Sequence, residues 1–546
     1  MNNPPPNAYE QMVNDFQWDR PVKFNFASNV IDDWATRTPQ TPALWWIDGA
    51  GQEAKLRYAE LARSSRKFCN VLEAAGISKG DLIVVIMKPQ PAWWEIVTAC
   101  LRMGVVISPG TTQLSSKDLE YRIEVSEAVA VIADADNAHK FDAIGVDHPA
   151  LKRKIVSGAV REGWIHYEQA MNDANDDFEA ESTDADDVAM CYFTSGTTGH
   201  PKMVLHTQAS YGIGHKITGH FWLRLNPGEV MWCITDTGWA KAAYSAYFGP
   251  LIQGATIFSV GAGFDPLKTL EILRDLPIDT LCGAPTIYRL LVQQDLSQYS
   301  TPTLKRNYSA GEPLNPEVIT EWKKFTGLAI REGYGQTETC ILCASWDEIE
   351  IRPGSMGTAA PGYDLQVVDA DGNVVDSGEE GEIAIRVKPD RPAGLFREYW
   401  KSPERMEESF RGDWYFTGDR AVRDEDGYFW FLSRSDDVII SSGYRIGPFE
   451  VESALIEHPA VAESAVVSSP DETRGEVVKA FIVLAAGYEP GDELKLEIQN
   501  HVKSVTAPFK YPRKVDFVSE LPKTVSGKIR RVELRAAEWA GHREGS

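Results

Sequence analysis

The sequence predicts an α/β protein of two domains. A large N-terminal domain holds doubly wound parallel sheets and a small β-barrel-like unit, and a smaller α+β domain follows near the C-terminus. Three observations predict this. Apolar strand-like runs alternate with helix-patterned segments through the first three hundred residues. Residues 350–432 then turn to short β-type runs among glycines and aspartates. Beyond Ser435-Asp436-Asp437 a compact mixed pattern begins. At 546 residues the chain is long enough for more than one domain.

Leu82–Met87, Val105–Ser108 and Val129–Ala133 read as strands, and Tyr58–Ala75, Pro91–Met103 and Lys117–Val125 read as helices. Asn172–Asp187 is an acidic, solvated loop. Val188–Phe193 is an apolar run, and Val204-Leu205-His206 reads as another strand. The alternation resumes with strands at Gly254–Val260 and Thr280–Cys282 and helices at Pro266–Leu273 and Thr286–Leu291. Leu365–Val368 and Gly381–Val387 belong to the small β unit. Gly447-Pro448 opens a helix, because proline suits the first helical position. Leu494, Ile498, Val502 and Val505 recur at helical spacing, which predicts an amphipathic helix over Asp492–Val505. Ala465–Val467, Val477–Leu484 and Lys514–Val518 are its strand partners. The domains are therefore drawn as residues 1–434 and 435–546.

A net charge of −24 argues against generic binding to nucleic acid or an anionic membrane. No apolar run approaches the roughly twenty residues of a membrane-spanning helix. The N-terminal segment carries Glu10, Asp15 and Asp19 and lacks an apolar signal core, so a cytoplasmic enzyme is expected. The seven cysteines are scattered. Cys340 and Cys343 form a single C-x-x-C with no second pair, which points to packing rather than zinc or redox chemistry.

Five motifs carry chemistry. Thr194-Ser195-Gly196-Thr197-Thr198-Gly199-His200-Pro201-Lys202 combines glycines, hydroxyls and a lysine, a composition that grips polyphosphate. It is not a Walker A loop, since only two residues separate Gly196 from Gly199. Glu332-Gly333-Tyr334-Gly335-Gln336-Thr337-Glu338 offers a ring to stack on a purine, a hydroxyl for a phosphate and a hard oxygen for Mg²⁺. Asp419 suits the hydroxyls of a ribose, or equally a turn. Arg434 supplies a planar fork beside the domain junction, ahead of Ser442-Gly443-Tyr444-Arg445. Lys528 sits on a Gly/Ser-rich loop, where taken alone a solvated surface lysine is the plainer reading.

In this order the five motifs resemble the adenylate-forming superfamily over essentially the whole chain. Asp236-Thr237-Gly238-Trp239, Gly283-Ala284-Pro285-Thr286, Ser442–Pro448 and His501–Pro508 are similar to its medium-chain acyl-CoA synthetase branch. The resemblance implies two half-reactions. A carboxylic acid and ATP give an acyl-adenylate and pyrophosphate, then coenzyme A displaces AMP. It implies that Thr194–Lys202 hold the β- and γ-phosphates and that Gly311, Glu312, Pro313 and Glu332–Tyr334 frame adenine. Thr337 touches the α-phosphate, Glu338 binds Mg²⁺, and Gly335, Gln336, Asp419, Arg434 and Arg445 serve the nucleotide. Lys528 bridges the two reacting groups. Asp436 falls at the hinge about which a mobile C-terminal domain turns. Gln113, Ser442, Gly443, Tyr444, Arg474 and Lys503 are the expected coenzyme A contacts, within a local cationic patch that includes Lys510, Arg513 and Lys514.

Trp239, Ala240, Tyr244 and Gly283 are expected to line the acid pocket. The alanines of Trp239–Phe248 either leave volume for the acid or pack a helix. A medium-chain, short or branched fatty acid is the first expectation, and an aryl or phenylpropanoid acid is the alternative. A catalytically inactive nucleotide-binding protein is the reading from another class. The expected partners are the acid, ATP and coenzyme A, with a homodimer as an allowed assembly and no nucleic acid.

Overall fold

Parallel strands with hydrophobic residues on both faces must be covered by helices on both sides, and two such sheets form the body of the protein. The structure, a computed structural model, describes residues 7–142, 144, 151–194, 201–312, 314–435, 437–441, 444–471, 474–523 and 529–543. Among these, one eight-stranded sheet has a parallel part running Val188–Thr194, Val106–Gly110, Leu82–Ile86, Ala130–Asp134, Arg153–Ser157 and Ile165–His166. Lys202–Thr207 and Glu398–Tyr399 close one edge antiparallel. A nine-stranded sheet runs parallel through Ile330–Gly335, Arg306–Ala310, Thr280–Gly283, Val230–Ile234, Thr256–Val260 and Pro42–Ile47, with antiparallel strands at both edges.

The helices between these sheets form one continuous core. Pro91–Met103 illustrates how sequence sets an element: proline at its first turn starts it, and Gly104 at φ +69° ends it in the left-handed region. Its Trp94 indole donates to the Ala246 carbonyl at 3.0 Å, and Thr98 shares a hydrogen bond with Tyr247 at 2.6 Å. The first sheet's helix is thereby fastened to a helical segment of the second.

Leu365–Val368, Glu380–Arg386, Trp414–Arg423, Phe410–Arg411 and Phe429–Arg434 make an antiparallel five-stranded unit. From Ile439 onward a fourth sheet joins Ile439–Ser441, Tyr444–Ile446, Gly475–Leu484, Val461–Asp471 and Lys514–Phe517. Its core of Ile446, Val451, Leu455, Val478, Ile482, Ile498 and Val502 is separate from the N-terminal cores. Fold and layer order therefore match the expected large N-terminal domain and smaller C-terminal domain. No helix among the described residues is long and apolar enough to cross a membrane.

Candidate active site

Ligands of open parallel sheets bind outside the carboxyl ends of the strands, and here strand ends of both sheets open on one cleft. Thr112 and Gln113 follow Val106–Gly110, and Thr235 and Asp236 follow Val230–Ile234. Ala284 follows Thr280–Gly283, Gly311 and Glu312 follow Arg306–Ala310, and Gln336–Glu338 follow Ile330–Gly335. All of them line it. The cleft measures about 2570 Å³, well above the roughly 300–1,000 Å³ of a single-ligand pocket. It has room for a nucleotide and a second substrate together.

Thr194 and Lys202 face each other as register partners of an antiparallel pair, and both line the cleft. Burial and the nearby Arg405 guanidinium lower the Lys202 pKa, which Glu338 opposes. Ser195–Gly199, Pro313, Asp436, Ser442, Gly443, Lys528 and the side chain of Arg445 lie outside the described residues. Lys523 and Ile529 line the same cleft.

Asp419 is 4% exposed and accepts from the Tyr334 hydroxyl and from Gln336 Nε2, each at 2.6 Å. Arg434, its register partner on the next strand, pairs with it at 3.3 Å. The Tyr334 ring is thus anchored by its own hydroxyl, and one Asp419 oxygen meets two donors while the other meets the guanidinium. Gly335 permits this corner. A Cβ there would lie 2.5 Å from the Cys340 carbonyl oxygen.

Glu338 accepts from the Tyr399 hydroxyl at 2.8 Å, and burial raises its pKa despite that bond. The preceding Thr337 carbonyl is held by Tyr211 at 2.8 Å and by His206 Nε2 at 2.7 Å. A carbonyl only accepts, so Nε2 carries the proton, and His206 Nδ1 accepts from Ser210 at 2.9 Å. Burial pushes His206 down to about 3, so it stays neutral at any ordinary pH. Tyr244 donates to the carbonyls of Gln336 and Thr339. The loop Gln336–Thr339 is therefore pinned from three sides.

Glu332 is 8% exposed and accepts from the Leu314 backbone N–H at 2.9 Å. Burial raises its pKa from 4.5 to about 8. Between those values the folded protein binds a proton that the unfolded chain has released, so stability falls as pH rises through the window. Glu332→Gln is expected to remove this slope and to gain up to a few kcal/mol near neutral pH. Melting temperatures of both proteins between about pH 5 and pH 8 check it, and parallel curves would contradict it.

On the same cleft, Asp236 accepts from Thr111 at 3.0 Å and from the Gly238 N–H at 2.7 Å. Trp239, Ala240, Lys241, Tyr244 and Ser245 line the wall, and Lys241 donates to the Ala310 carbonyl at 2.7 Å. Gly283 ends the neighbouring strand, where a Cβ would meet Ile287 at 3.2 Å. Ala242 and Ala246 are buried in the core. Of the alanines in this run only Ala240 borders the cleft, so Ala242 and Ala246 pack a helix and leave no volume for the acid.

Gln113 borders the cleft, but Tyr444, Arg474 and Lys503 do not. Tyr444 stacks on Phe509 with centroids 4.4 Å apart, and Lys503 lies over the Tyr511 ring at 4.0 Å. Arg474 is exposed in the turn after Asp471. Cys340 and Cys343 are both fully buried, as packing requires. Sequence reasoning missed Tyr399, His206, Tyr211 and Lys241. Only Lys241 leaves a signal, as the lone cation in an apolar run.

Adenylate-forming enzymes are the class that this fold and cleft define, with the buried Asp419 carboxylate facing the half-exposed Arg434 guanidinium. The chain matches the AMP-binding enzyme family over residues 31–400 and the AMP-binding enzyme C-terminal domain over residues 450–528. It is 51% identical over 541 residues to acyl-coenzyme A synthetase ACSM3, mitochondrial, of Mus musculus, covering 97% of this chain and 93% of that protein. It is 50% identical over 539 residues to acyl-coenzyme A synthetase ACSM4, mitochondrial, of Mus musculus, with coverage of 97% and 93%. The crystal structure of the anthranilate CoA ligase AuaEII in complex with anthranoyl-AMP superposes with a TM-score of 0.86 at 27% identity, covering 96% of this chain and 99% of that one. The chain belongs to the AMP-binding enzyme family, in its medium-chain acyl-CoA synthetase branch. These relatives also correct one expectation: they are named mitochondrial, so the cytoplasmic location expected from charge and N-terminal composition does not stand.

Proposed function

We propose that the protein is an AMP-forming acyl-CoA synthetase acting on a medium-chain or short, branched fatty acid. The observation that carries the reading is the convergence of Lys202, Glu338, Asp419 and the Trp239–Ser245 wall on one cleft large enough for nucleotide and acid. In the first step an acid oxygen attacks the α-phosphorus of ATP and pyrophosphate leaves. Two anions must meet, so preorganised donors and cations lower the barrier. Thr194 and Lys202 receive the β- and γ-phosphates. Asp419 accepts from the ribose hydroxyls, with Arg434 beside it, and Glu332–Tyr334 with Gly311 and Glu312 frame adenine. Lys528 bridges the carboxylate and the α-phosphate. In the second step the coenzyme A thiolate attacks the acyl carbonyl and AMP leaves.

The donor set fits magnesium. Among the described residues no group of three His, Cys, Asp or Glu side chains is placed to hold an ion by itself. Mg²⁺ is commonly held by one or two carboxylates together with substrate phosphates, and Glu338 is the carboxylate this cleft offers. Bound there, the ion would neutralise polyphosphate charge. Acid-dependent exchange of labelled pyrophosphate into ATP tests the first step, and its absence with every acid tried would contradict the reading.

The boundary is placed between residues 434 and 435, with Asp436 as the hinge that exchanges Lys528 for Ser442–Tyr444 at the cleft. Few residues absorb such a change of backbone angle. Asp436→Pro is therefore expected to keep pyrophosphate exchange and lose thioester formation. Equal loss of both would remove the hinge. Gln113, Arg474 and Lys503 are the proposed coenzyme A contacts.

One observation favours a second reading, an aromatic acid. Trp239 and Tyr244 give the acid wall two flat rings, and the anthranilate ligase AuaEII shares the fold.

A further inference from the structure

Cys233 and Cys282 are register partners on the adjacent parallel strands Val230–Ile234 and Thr280–Gly283. Partners in register project from the same face of a sheet, and neighbouring strands lie about 4.8 Å apart. That spacing falls inside the roughly 4.4–6.8 Å between Cα atoms that a disulfide spans. Cys233 is 6% exposed and borders the cleft, whereas Cys282 is fully buried and does not.

The surroundings favour a thiolate on this pair. Lys241 and Ser245 sit one helical turn apart and both act on it. The Lys241 ammonium attracts negative charge, and the Cys282 thiol meets Ser245 Oγ at 3.8 Å. The adjoining Cys233 thiol, helped by Lys241 and opposed by burial, lowers the Cys282 pKa, while burial raises that of Cys233. The core offers a contrast. Cys69 and Cys100 are neighbours between two helices, do not border the cleft, and are held protonated by burial.

We infer that Cys233 and Cys282 form a reversible dithiol–disulfide site in the wall of the acid pocket, oxidised by hydrogen peroxide entering through the cleft. The inference rests on the acid-pocket reading for its effect, but not for its chemistry. Transfer of the Cys233 proton to Cys282 puts the thiolate at the cleft, where it attacks one peroxide oxygen, the O–O bond breaks, and a sulfenic acid and hydroxide result. The second thiol's sulfur then attacks the sulfenic sulfur, the S–S bond forms, and its proton leaves with the displaced hydroxide as water. Two thiols and one peroxide give one disulfide and two waters, with two electrons passing from sulfur to oxygen. A dithiol reductant reverses it by exchange. Oxidation removes the thiol hydrogen directed at Ser245 and draws the Cys233 sulfur off the pocket wall. The acid site changes and the nucleotide corner at Asp419 does not.

The test treats the full-length protein with one equivalent of hydrogen peroxide, then maps disulfides by mass spectrometry without reduction and measures thioester synthesis before and after dithiothreitol. The expected result is a Cys233–Cys282 linkage, a KM for the acid raised by about fivefold or more with the KM for ATP unchanged, and full recovery on reduction. Cys282→Ala should form no such linkage and should keep its acid KM under peroxide. Failure to find the linkage in folded wild-type protein would overturn the site. A linkage that leaves the acid KM unchanged, or a peroxide effect that persists in Cys282→Ala, would overturn its control of acid binding. Because the linkage is read by mass, it stands or falls separately from the proposed activity, which the reduced enzyme reports.

Discussion

Glu338→Gln is expected to slow adenylate formation by about 10²–10³-fold. The substitution keeps the shape and the acceptor for Tyr399, which donates to Glu338 at 2.8 Å. It removes the one charge that the pinned Gln336–Thr339 loop presents to the cleft, where the proposed reaction places the polyphosphate. A neutral amide is a poor ligand for magnesium, a hard cation that prefers charged oxygens. The loss should appear as a higher Mg²⁺ requirement together with a lower maximal rate, since the loop itself stays fastened through His206, Tyr211 and Tyr244. Pyrophosphate exchange measured across a Mg²⁺ titration checks this. A variant within about threefold of the wild-type rate at equal Mg²⁺ would take Glu338 out of the metal role.

Lys528→Ala is expected to separate the half-reactions. The nearest described residues on either side of it, Lys523 and Ile529, both line the cleft that holds Glu338 and Asp419. In the proposed reaction this lysine neutralises charge where carboxylate and α-phosphate meet, a contribution worth about 10³-fold in the first step. The second step exchanges neutral acyl carbon between oxygen and sulfur and does not need it. The variant should therefore lose pyrophosphate exchange while still converting supplied acyl-adenylate and coenzyme A to thioester. Equal loss of both steps would assign Lys528 to folding or to coenzyme A.

The elements were largely legible because their signals are local. Pro91–Met103 and Asp492–Val505 have the bounds that capping and periodicity predict. Strands such as Leu82–Ile86 end within a residue or two of expectation. The strands Val188–Thr194 and Lys202–Thr207 were legible as apolar runs on either side of the glycine-rich motif, but their antiparallel pairing was not. The contacts that organise the site were not, because they join distant parts of the chain. Tyr399 meets Glu338 across 61 residues, and His206 meets Thr337 across 131. Periodicity also fails to say which side of a helix meets a cavity, which is why Ala242 and Ala246 could be counted toward the acid pocket. Composition carries no compartment label, and the expectation of a cytoplasmic protein failed for that reason.

The most direct test is coenzyme A-dependent AMP formation across linear acids of three to twelve carbons, with benzoate and cinnamate types alongside. The account predicts one AMP and one pyrophosphate per thioester, strict dependence on coenzyme A, and a maximum among linear acids of four to ten carbons. A maximum at aromatic acids would keep the chemistry and move the substrate. ADP as product, or no thioester with any acid while the protein still binds ATP, would contradict the account itself.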